Sequence, residues 1–263
     1  MTTLLGYDRY GHEITAQTDL LRAAIAGADL AAPVPSCPEW TLGQLARHVG
    51  GAHRWVEAIV RTRAEQDIPE DEVPDAGGPA GDDPAALDAW LADGAAKLVG
   101  ALREAGPGAG VWTWAWERTT DFWARRMAHE TVIHRADAAL AAGVPFEVAP
   151  DVAADTIDEL LQMVGFAAAS GDPEAAELRG PGRTLHFHAT DADGGVDAEW
   201  LVEFGEEGFG WRRGHEKATV AVRGPLTDVL LVLYRRLPAD SERVEVLGDA
   251  KLLDFWLERT SFG

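Results

Sequence analysis

The chain has 263 residues, of which 46% are hydrophobic, which is enough for a large core in two domains or in one large domain. Its formal net charge is −21, with 44 acidic against 23 basic residues, and such a surface repels nucleic acids and anionic membranes. The single cysteine excludes an internal disulfide and fits a reducing compartment. Because the sequence has neither a signal segment nor an apolar run of membrane-spanning length, we expect a cytoplasmic protein that binds neither nucleic acid nor membrane.

The first half of the chain predicts amphipathic helices. Residues 12–26 carry spaced apolar positions, and a second helix over residues 42–63 opens at a capping box made by Thr41 and Gln44. Between these helices, residues 28–40 contain three prolines and predict a loop.

Residues 65–83 are acidic and rich in proline and glycine, which predicts a long crossover loop with little structure of its own. A third helix begins at Pro84 and ends near Gly106. The alternating segment VWTWAW at 111–116 is a short strand or a loop whose tryptophans cover a pocket, and the equally favoured alternative is aromatic packing over a helix end. A fourth helix over residues 122–140 completes a predicted antiparallel bundle.

Past this bundle the pattern changes. A helix over 151–169 is followed by short strands, an apolar helix from Pro225 through Leu237, a further strand and a closing helix over 250–259. The predicted strands are 184–189, 199–204, 209–212, 219–223 and 244–247. The sequence therefore predicts an α+β protein, with an antiparallel four-helix bundle in residues 1–145 and a smaller α+β domain in residues 150–263.

The fourth helix carries the first candidate site. Glu130 and His134 lie one turn apart on a helix face that also holds Trp123 and Met127. Burying a carboxylate and an imidazole among such residues is costly unless a metal ion or mutual pairing compensates. The alternative is a solvated string of Arg126, Glu130 and His134 on an exposed face.

The second helix supplies a possible third ligand. A helical wheel places His48 within the apolar arc and His53 at its edge, beside the polar side. Together with Glu130 and His134, His48 would give two imidazoles and one carboxylate, which leave open positions on a tetrahedral or octahedral ion, as in catalytic sites. Asp137 is the favoured hydrogen-bond partner behind these ligands. The alternative is that His48 is an ordinary core histidine.

Two further features carry weaker signals. His186 and His188 alternate on a predicted strand and therefore share a face, so both a metal pair and a half-exposed sheet face are possible, the latter being favoured. Cys37 has no identifiable base nearby, which favours a buried, inert thiol.

Two stretches, CPEWTLGQLARHVGGAHRW and, further along, RRMAHETVIHRADA, resemble the N-terminal domain of the mycothiol-dependent maleylpyruvate isomerase family. That family belongs to a larger DinB-like group of metal-binding four-helix bundles. The C-terminal run GPLTDVLLVLYRRLPADSERVEVLGDAKLLDFW resembles the family's second domain, an α+β module similar to sterol-carrier folds. The resemblance extends over nearly the whole chain.

The resemblance implies a metal bound by His48, Glu130 and His134, with zinc the first choice and nickel or iron as alternatives. It also implies mycothiol as the thiol cofactor. Near the end of the C-terminal apolar helix, Arg236 matches a family arginine that would hold substrate carboxylates. Arg235 stands where the family usually has glycine, so either of the two arginines can be the one that points inward.

The implied reaction is addition of a thiolate to an activated double bond, rotation, and elimination of the thiolate to give the other geometric isomer. The partners would be a small-molecule thiol and a small anionic or electrophilic substrate. Two other functions remain open: a thiol S-transferase built on the same bundle, and a non-catalytic metal-containing binding protein whose C-terminal domain carries an apolar ligand. We expect a monomer or a homodimer.

Overall fold

The computed structural model describes residues 5–81, 83–192 and 196–260. These residues divide into two compact units, the first over residues 5–146 and the second from residue 147 onward. The first unit is helical and the second combines helices with a sheet, which confirms the predicted α+β fold class. None of the described helices combines the length and the apolar character needed to cross a membrane.

Four long helices make up the first unit. They are α1 (Tyr7–Ile25), α2 (Leu42–Thr62), α3 (Pro84–Ala105) and α4 (Thr120–Ala142). Helix α1 packs against α3 and α4, and α2 packs against the same two helices. Helices α1 and α2, which are consecutive in the sequence, therefore lie diagonally opposite each other in the bundle. The loop between α2 and α3 joins two helices that are in contact.

The helix ends follow the local sequence. The Gln44 amide donates to the Thr41 hydroxyl at 3.2 Å while the Thr41 amide donates to the Gln44 side chain at 2.8 Å, so the predicted capping box is present. Helix α4 ends at Ala142, and the capping residue that follows, Gly143, has a positive φ of 67°, which suits a residue without a Cβ. The predicted start of α1 at residue 12 is wrong, because the helix begins at Tyr7, whose hydroxyl donates to the carbonyl of Leu102.

Residues 28–40 are not the simple loop that their prolines predict. They contain a short antiparallel hairpin, β1 (Pro33–Val34) and β2 (Cys37–Thr41), joined by a tight turn that includes Ser36. Strands this short offer no alternating pattern, so periodicity does not detect them.

The acidic connection between α2 and α3 is also more ordered than its composition predicts. We call residues 65–81 the acidic strap. It contains a 3₁₀ turn at Glu70–Glu72 and is attached to the bundle by two indole groups. Trp55 donates to the carbonyl of Ile68 at 2.7 Å, and Trp90 donates to the carbonyl of Asp75 at 3.0 Å. Tertiary hydrogen bonds of this kind are invisible to a composition argument.

Helix α4 is buried on almost every side. The wheel predicts one broad buried face, but from Thr120 to Ala139 every residue except Asp121 and Glu130 is buried. Glu130 is half-buried because it faces a pocket, described below. The amphipathic interpretation of α4 is therefore wrong: it is a central helix with polar groups inside.

The second unit begins with α5 (Pro150–Ala169) and continues with a mixed sheet. The strands are β3 (Thr184–Ala189), β4 (Glu199–Phe204), β5 (Phe209–Arg213), β6 (Val220–Gly224) and β7 (Glu245–Gly248), and the later helices are α6 (Leu226–Leu233) and α7 (Ala250–Arg259). The spatial order is β5-β4-β3-β6-β7, with only the β3–β6 pair parallel among the described strands. Every strand end predicted for this unit lies within one residue of the observed end.

One face of this sheet packs against helices. Phe187 and Trp200 are directly opposite each other in β3 and β4, and both are fully buried. The Trp200 indole donates to Asp158 of α5 at 2.8 Å, and the Phe187 ring lies 6.5 Å from that of Trp256 in α7. Because side chains alternate along a strand, the neighbours His186 and His188 point to the other face.

The apolar helix near the C-terminal end is shorter than predicted. Its predicted end at Leu237 is wrong, because α6 stops at Leu233 and Arg235 takes a left-handed backbone conformation with φ of 60°. A following proline, Pro238, cannot continue a helix with normal hydrogen bonding.

A close approach between α2 and α3 gives a testable consequence. A Cβ added at Gly50 would lie 2.1 Å from the Trp90 ring, whereas at Gly100, on the exposed side of α3, it would meet nothing within 4 Å. We expect Gly50→Ala to lower the free energy of unfolding by about 1–3 kcal/mol. Gly100→Ala should leave it unchanged or raise it by up to about 1 kcal/mol. Urea unfolding measures both, and equal stability of the two variants would contradict this packing.

Candidate metal centre

The three side chains that were predicted as metal ligands meet at the wall of the helical bundle. His48 extends from α2, and Glu130 and His134 extend from α4. The Glu130 Oε1 atom lies 3.2 Å from His48 Nε2 and 3.0 Å from His134 Nε2. One nitrogen or oxygen from each residue lies within 4.8 Å of the others. The structure thus brings together the three residues that the sequence singled out.

The wheel was wrong about which histidine of α2 is buried. His48 has 38% of its side chain exposed, whereas His53 is 1% exposed and its Nε2 atom lies 2.9 Å from the Thr131 hydroxyl. The apolar arc of a wheel averages over the whole helix. Beside His48, α2 and α4 line an open pocket. About one turn further along α2, the two helices pack together and bury His53.

Further polar groups hold this cluster in place. Arg126 donates to Glu130 Oε2 at 2.6 Å, and Asp137 Oδ2 lies 2.9 Å from His134 Nδ1. Asp137 is fully buried, and its other oxygen accepts a hydrogen bond from Ser36 in the β1–β2 turn. The sequence predicted the contacts of Arg126 and Asp137. It missed Ser36, because the hairpin that carries it was not recognised.

The charges of the cluster favour an ionised carboxylate. Burial alone would raise the pKa of Glu130, but His134 and Arg126 outweigh it and hold that pKa well below its usual value. Burial likewise disfavours a charged His134, yet Glu130 and Asp137 raise the pKa of His134 to about 9. In the absence of a metal, a proton on His134 therefore compensates Glu130, and a metal ion would take its place.

The residues fit a divalent metal ion. Asp137 occupies the Nδ1 side of His134 and so leaves Nε2 to face Glu130, which is the usual arrangement behind a metal-binding histidine. Two imidazole nitrogens and a carboxylate suit zinc, nickel or iron and leave coordination positions for other molecules. The ring of Trp40 lies 4.8 Å from that of His48 and restricts its rotation.

A pocket of about 570 Å³ opens beside the cluster. Its wall combines apolar and charged side chains, namely Trp55, Trp114, Trp123, Met127, Arg47, Arg126, Glu70 and Asp71. The segment 111–116 is a loop. Trp114 lines the pocket, and Trp114 and Trp116 also pack edge-on against Phe122 in the first turn of α4, so the loop and the helix-end alternatives both hold. Arg47 and the acidic strap were not predicted as pocket residues, because their contributions depend on how the strap folds back over α2.

The C-terminal candidates differ in exposure. Arg236 is half-buried and donates to the carbonyl of Tyr234 at 2.8 Å, whereas Arg235 is exposed. Cys37, predicted to be buried, is half-buried against the hydrophobic core of the bundle. His186 and His188 share a face of β3, as predicted, but His186 is buried, and Glu199 and His215 lie beside both histidines.

Comparison with known proteins identifies the family. The profile of the mycothiol maleylpyruvate isomerase N-terminal domain matches residues 12–139, and that of the corresponding C-terminal domain matches residues 151–255. Together the two matches extend over most of the chain, which is therefore an enzyme of the isomerase class. It belongs to the mycothiol-dependent maleylpyruvate isomerase family, as its sequence motifs predict.

Solved structures show the same fold. A mycothiol-dependent maleylpyruvate isomerase is 19% identical to this chain, with a TM-score of 0.60 over 94% of this chain and 95% of that chain. A histidine-to-alanine mutant of a mycothiol-dependent maleylpyruvate isomerase gives 17% identity with the same TM-score and coverage. No curated protein sequence matches the chain significantly.

The buried His53 predicts a pH dependence of stability. Burial lowers its pKa to about 4, below the value of about 6.5 in an unfolded chain. Between these values the unfolded state binds the extra proton, so this residue's contribution to stability is lost as the pH falls from about 6.5 to about 4. We expect the free energy of unfolding of the metal-free protein to fall between pH 7 and pH 4.5. The fall should be about 2–3 kcal/mol smaller in His53→Gln than in wild type. Parallel losses in both proteins would show that His53 is not buried as a neutral group.

Proposed function

We propose that the protein is an isomerase that uses a divalent metal and mycothiol to convert a small, unsaturated, anionic substrate into its geometric isomer. The observation that carries the proposal is the convergence of His48, Glu130 and His134 at the wall of a largely apolar pocket. Family membership supports the thiol and the reaction class, because the related enzymes are named for mycothiol and maleylpyruvate.

The three side chains would hold the metal through two nitrogens and a carboxylate oxygen, with zinc the first choice and nickel or iron as alternatives. Asp137 keeps the His134 ring in the required orientation, and Arg126 compensates part of the charge of Glu130. A bound divalent ion would lower the pKa of the mycothiol thiol enough for the thiolate to form near neutral pH.

The pocket would bring thiol and substrate together. Trp55, Trp123 and Met127 line it with apolar surface, which would reduce the contact of the reacting double bond with water. Addition of the thiolate to one carbon converts the double bond into a single bond that can rotate. Elimination then restores the double bond in the other geometry and returns the thiol. Arg47 and Arg126 lie on the same wall, where positive charge stabilises the negative charge that forms on the substrate during addition.

We further propose, from the family resemblance, that Arg236 binds a substrate carboxylate. A guanidinium group pairs with a carboxylate through two parallel hydrogen bonds, which a highly acidic protein needs in order to bind an anion. The thiol chemistry requires a reducing environment, so a cytoplasmic location belongs to the same proposal.

Replacement of His48 tests the metal centre. His48→Gln leaves only two protein ligands, so we expect turnover of a maleylpyruvate-type substrate with mycothiol to fall at least 100-fold. A chelator should lower the melting temperature of wild type by more than that of the variant. The exposed His12, changed to Gln, is the matched control and should behave like wild type. If His48→Gln retains full turnover, or responds to chelator as wild type does, the proposed centre is wrong.

The same assay separates the isomerase from its two rivals. An isomerase returns the thiol, so a catalytic amount of thiol supports complete conversion. An S-transferase consumes one thiol per substrate and accumulates the conjugate. A carrier protein gives no turnover with any combination of metal, thiol and unsaturated diacid.

The adjacent arginines provide a second matched pair. Arg236→Gln should raise the KM for an anionic substrate at least tenfold, since a charge-assisted pair is lost, while Arg235→Gln should have little effect. With a neutral ester of the same substrate the difference between the two variants should disappear. Equal kinetics of Arg236→Gln and Arg235→Gln on the anion would remove Arg236 from the substrate site.

A further inference from the structure

We propose that the second unit contains a separate metal site, in which His186, His188, Glu199 and His215 bind a divalent first-row transition metal, zinc foremost. This site is independent of the proposed thiol chemistry. It shares no residue with the cluster of His48, Glu130 and His134.

The strand geometry places three of the four side chains on one face of the sheet. His186 and His188 are two residues apart in β3, and Glu199 in β4 is directly opposite His188 in the antiparallel register. Residues that are opposite one another on paired strands point to the same side. This is the face turned away from the Phe187 and Trp200 core.

The fourth side chain comes from the connection between β5 and β6, which we call the crossover segment (residues 214–219). Its first amide, on Gly214, donates to the carbonyl of Glu199 at 3.1 Å, and its last, on Thr219, donates to the carbonyl of Thr184 at 3.1 Å. These anchors lie near opposite ends of β3, because His188 pairs with Glu199. The segment therefore runs across the sheet face and carries His215 over the other histidines.

The side chains converge on a single atom. Glu199 Oε2 lies 2.8 Å from His186 Nε2, 2.7 Å from His188 Nδ1 and 2.6 Å from His215 Nδ1. The three imidazole rings lie 5.2–5.5 Å apart, each edge-on to the others. Potential ligand atoms from all four residues lie within 4.8 Å of one another.

Hydrogen bonding alone explains this arrangement poorly. A carboxylate oxygen accepts about two hydrogen bonds with good geometry, and here three imidazoles approach the same one.

The donor set points to a transition metal with a structural role. Three nitrogens and one carboxylate oxygen complete a tetrahedral sphere without help from solvent or substrate, as in closed zinc sites. Such a sphere has its ligand atoms about 3.4 Å apart at zinc bond lengths of about 2.0–2.1 Å, so the observed atoms need to move by only about 1 Å. The magnesium or calcium alternative is disfavoured, because both ions prefer oxygen ligands.

The site would fasten the crossover segment to the sheet. The segment's sequence, Gly-His-Glu-Lys-Ala-Thr, contains one small apolar side chain, so hydrophobic burial cannot hold it across the sheet face. A metal shared by His215, two residues of β3 and one of β4 would replace that missing attachment.

The test uses the full chain with the bundle cluster disabled by His48→Gln and Glu130→Gln. After chelator treatment and reloading with zinc, elemental analysis should find about one ion per chain in this background, and zinc should raise its melting temperature by several degrees. Adding His188→Ala and His215→Ala should abolish both effects. Adding His12→Ala instead, which removes an exposed histidine far from both clusters in the sequence, should preserve both.

Cobalt loading gives an independent readout. A four-coordinate cobalt ion in the background protein should give intense visible absorption that the single variant His215→Ala weakens strongly. Because His215 lies in an exposed segment, that variant is expected to fold, and circular dichroism checks this. If the folded background protein takes up no stoichiometric metal, the four residues form only a hydrogen-bonded cluster. If uptake survives the loss of His188 and His215, the ion binds elsewhere. Either result overturns the proposal.

Discussion

The charge of Glu130 is the constraint on which the candidate metal centre depends. Helix α4 is buried almost throughout, and a carboxylate on such a helix is tolerated only when its charge is compensated. Arg126 contacts one oxygen, and His48 and His134 contact the other. Asp137 supports His134 from behind, and Ser36 supports Asp137. A line of polar contacts thus extends from the β1–β2 turn to the pocket, and each member has a fixed orientation because the next one holds it.

Local sequence signals predicted the parts of the fold that local chemistry determines. The capping box at Thr41 fixes the start of α2, and glycine and aspartate turns delimit the strands of the second unit to within one residue. Glu130 and His134 could be recognised as a pair because helical spacing alone brings them together. The wheel put His48 forward by placing it in the apolar arc of α2, and the family motif gave it the same role, although nothing in one helix specifies which residue of another it faces.

Features that depend on tertiary packing were not predictable in this way. His48 and His53 are both on α2, but the exposure of each follows from where α2 and α4 separate, which a wheel cannot show. The same holds for the face of the sheet in the second unit that carries His186 and His188. Alternation predicts that His186 and His188 point the same way, but Glu199 joins them through strand register and His215 through a crossover between β5 and β6. Neither register nor crossing direction is encoded in the spacing of two histidines.

The attachment of the acidic strap has a consequence for the pocket. Two indole groups, those of Trp55 and Trp90, hold the strap through carbonyl oxygens of its main chain. Every residue type supplies such a carbonyl, so these anchors survive substitution of the strap's own side chains. Glu70 and Asp71 line the pocket on that strap and can change without dislodging it. The fold therefore places part of the pocket wall on a segment whose two indole anchors do not depend on its side chains, so substitutions at Glu70 and Asp71 would change the pocket while leaving both anchors in place.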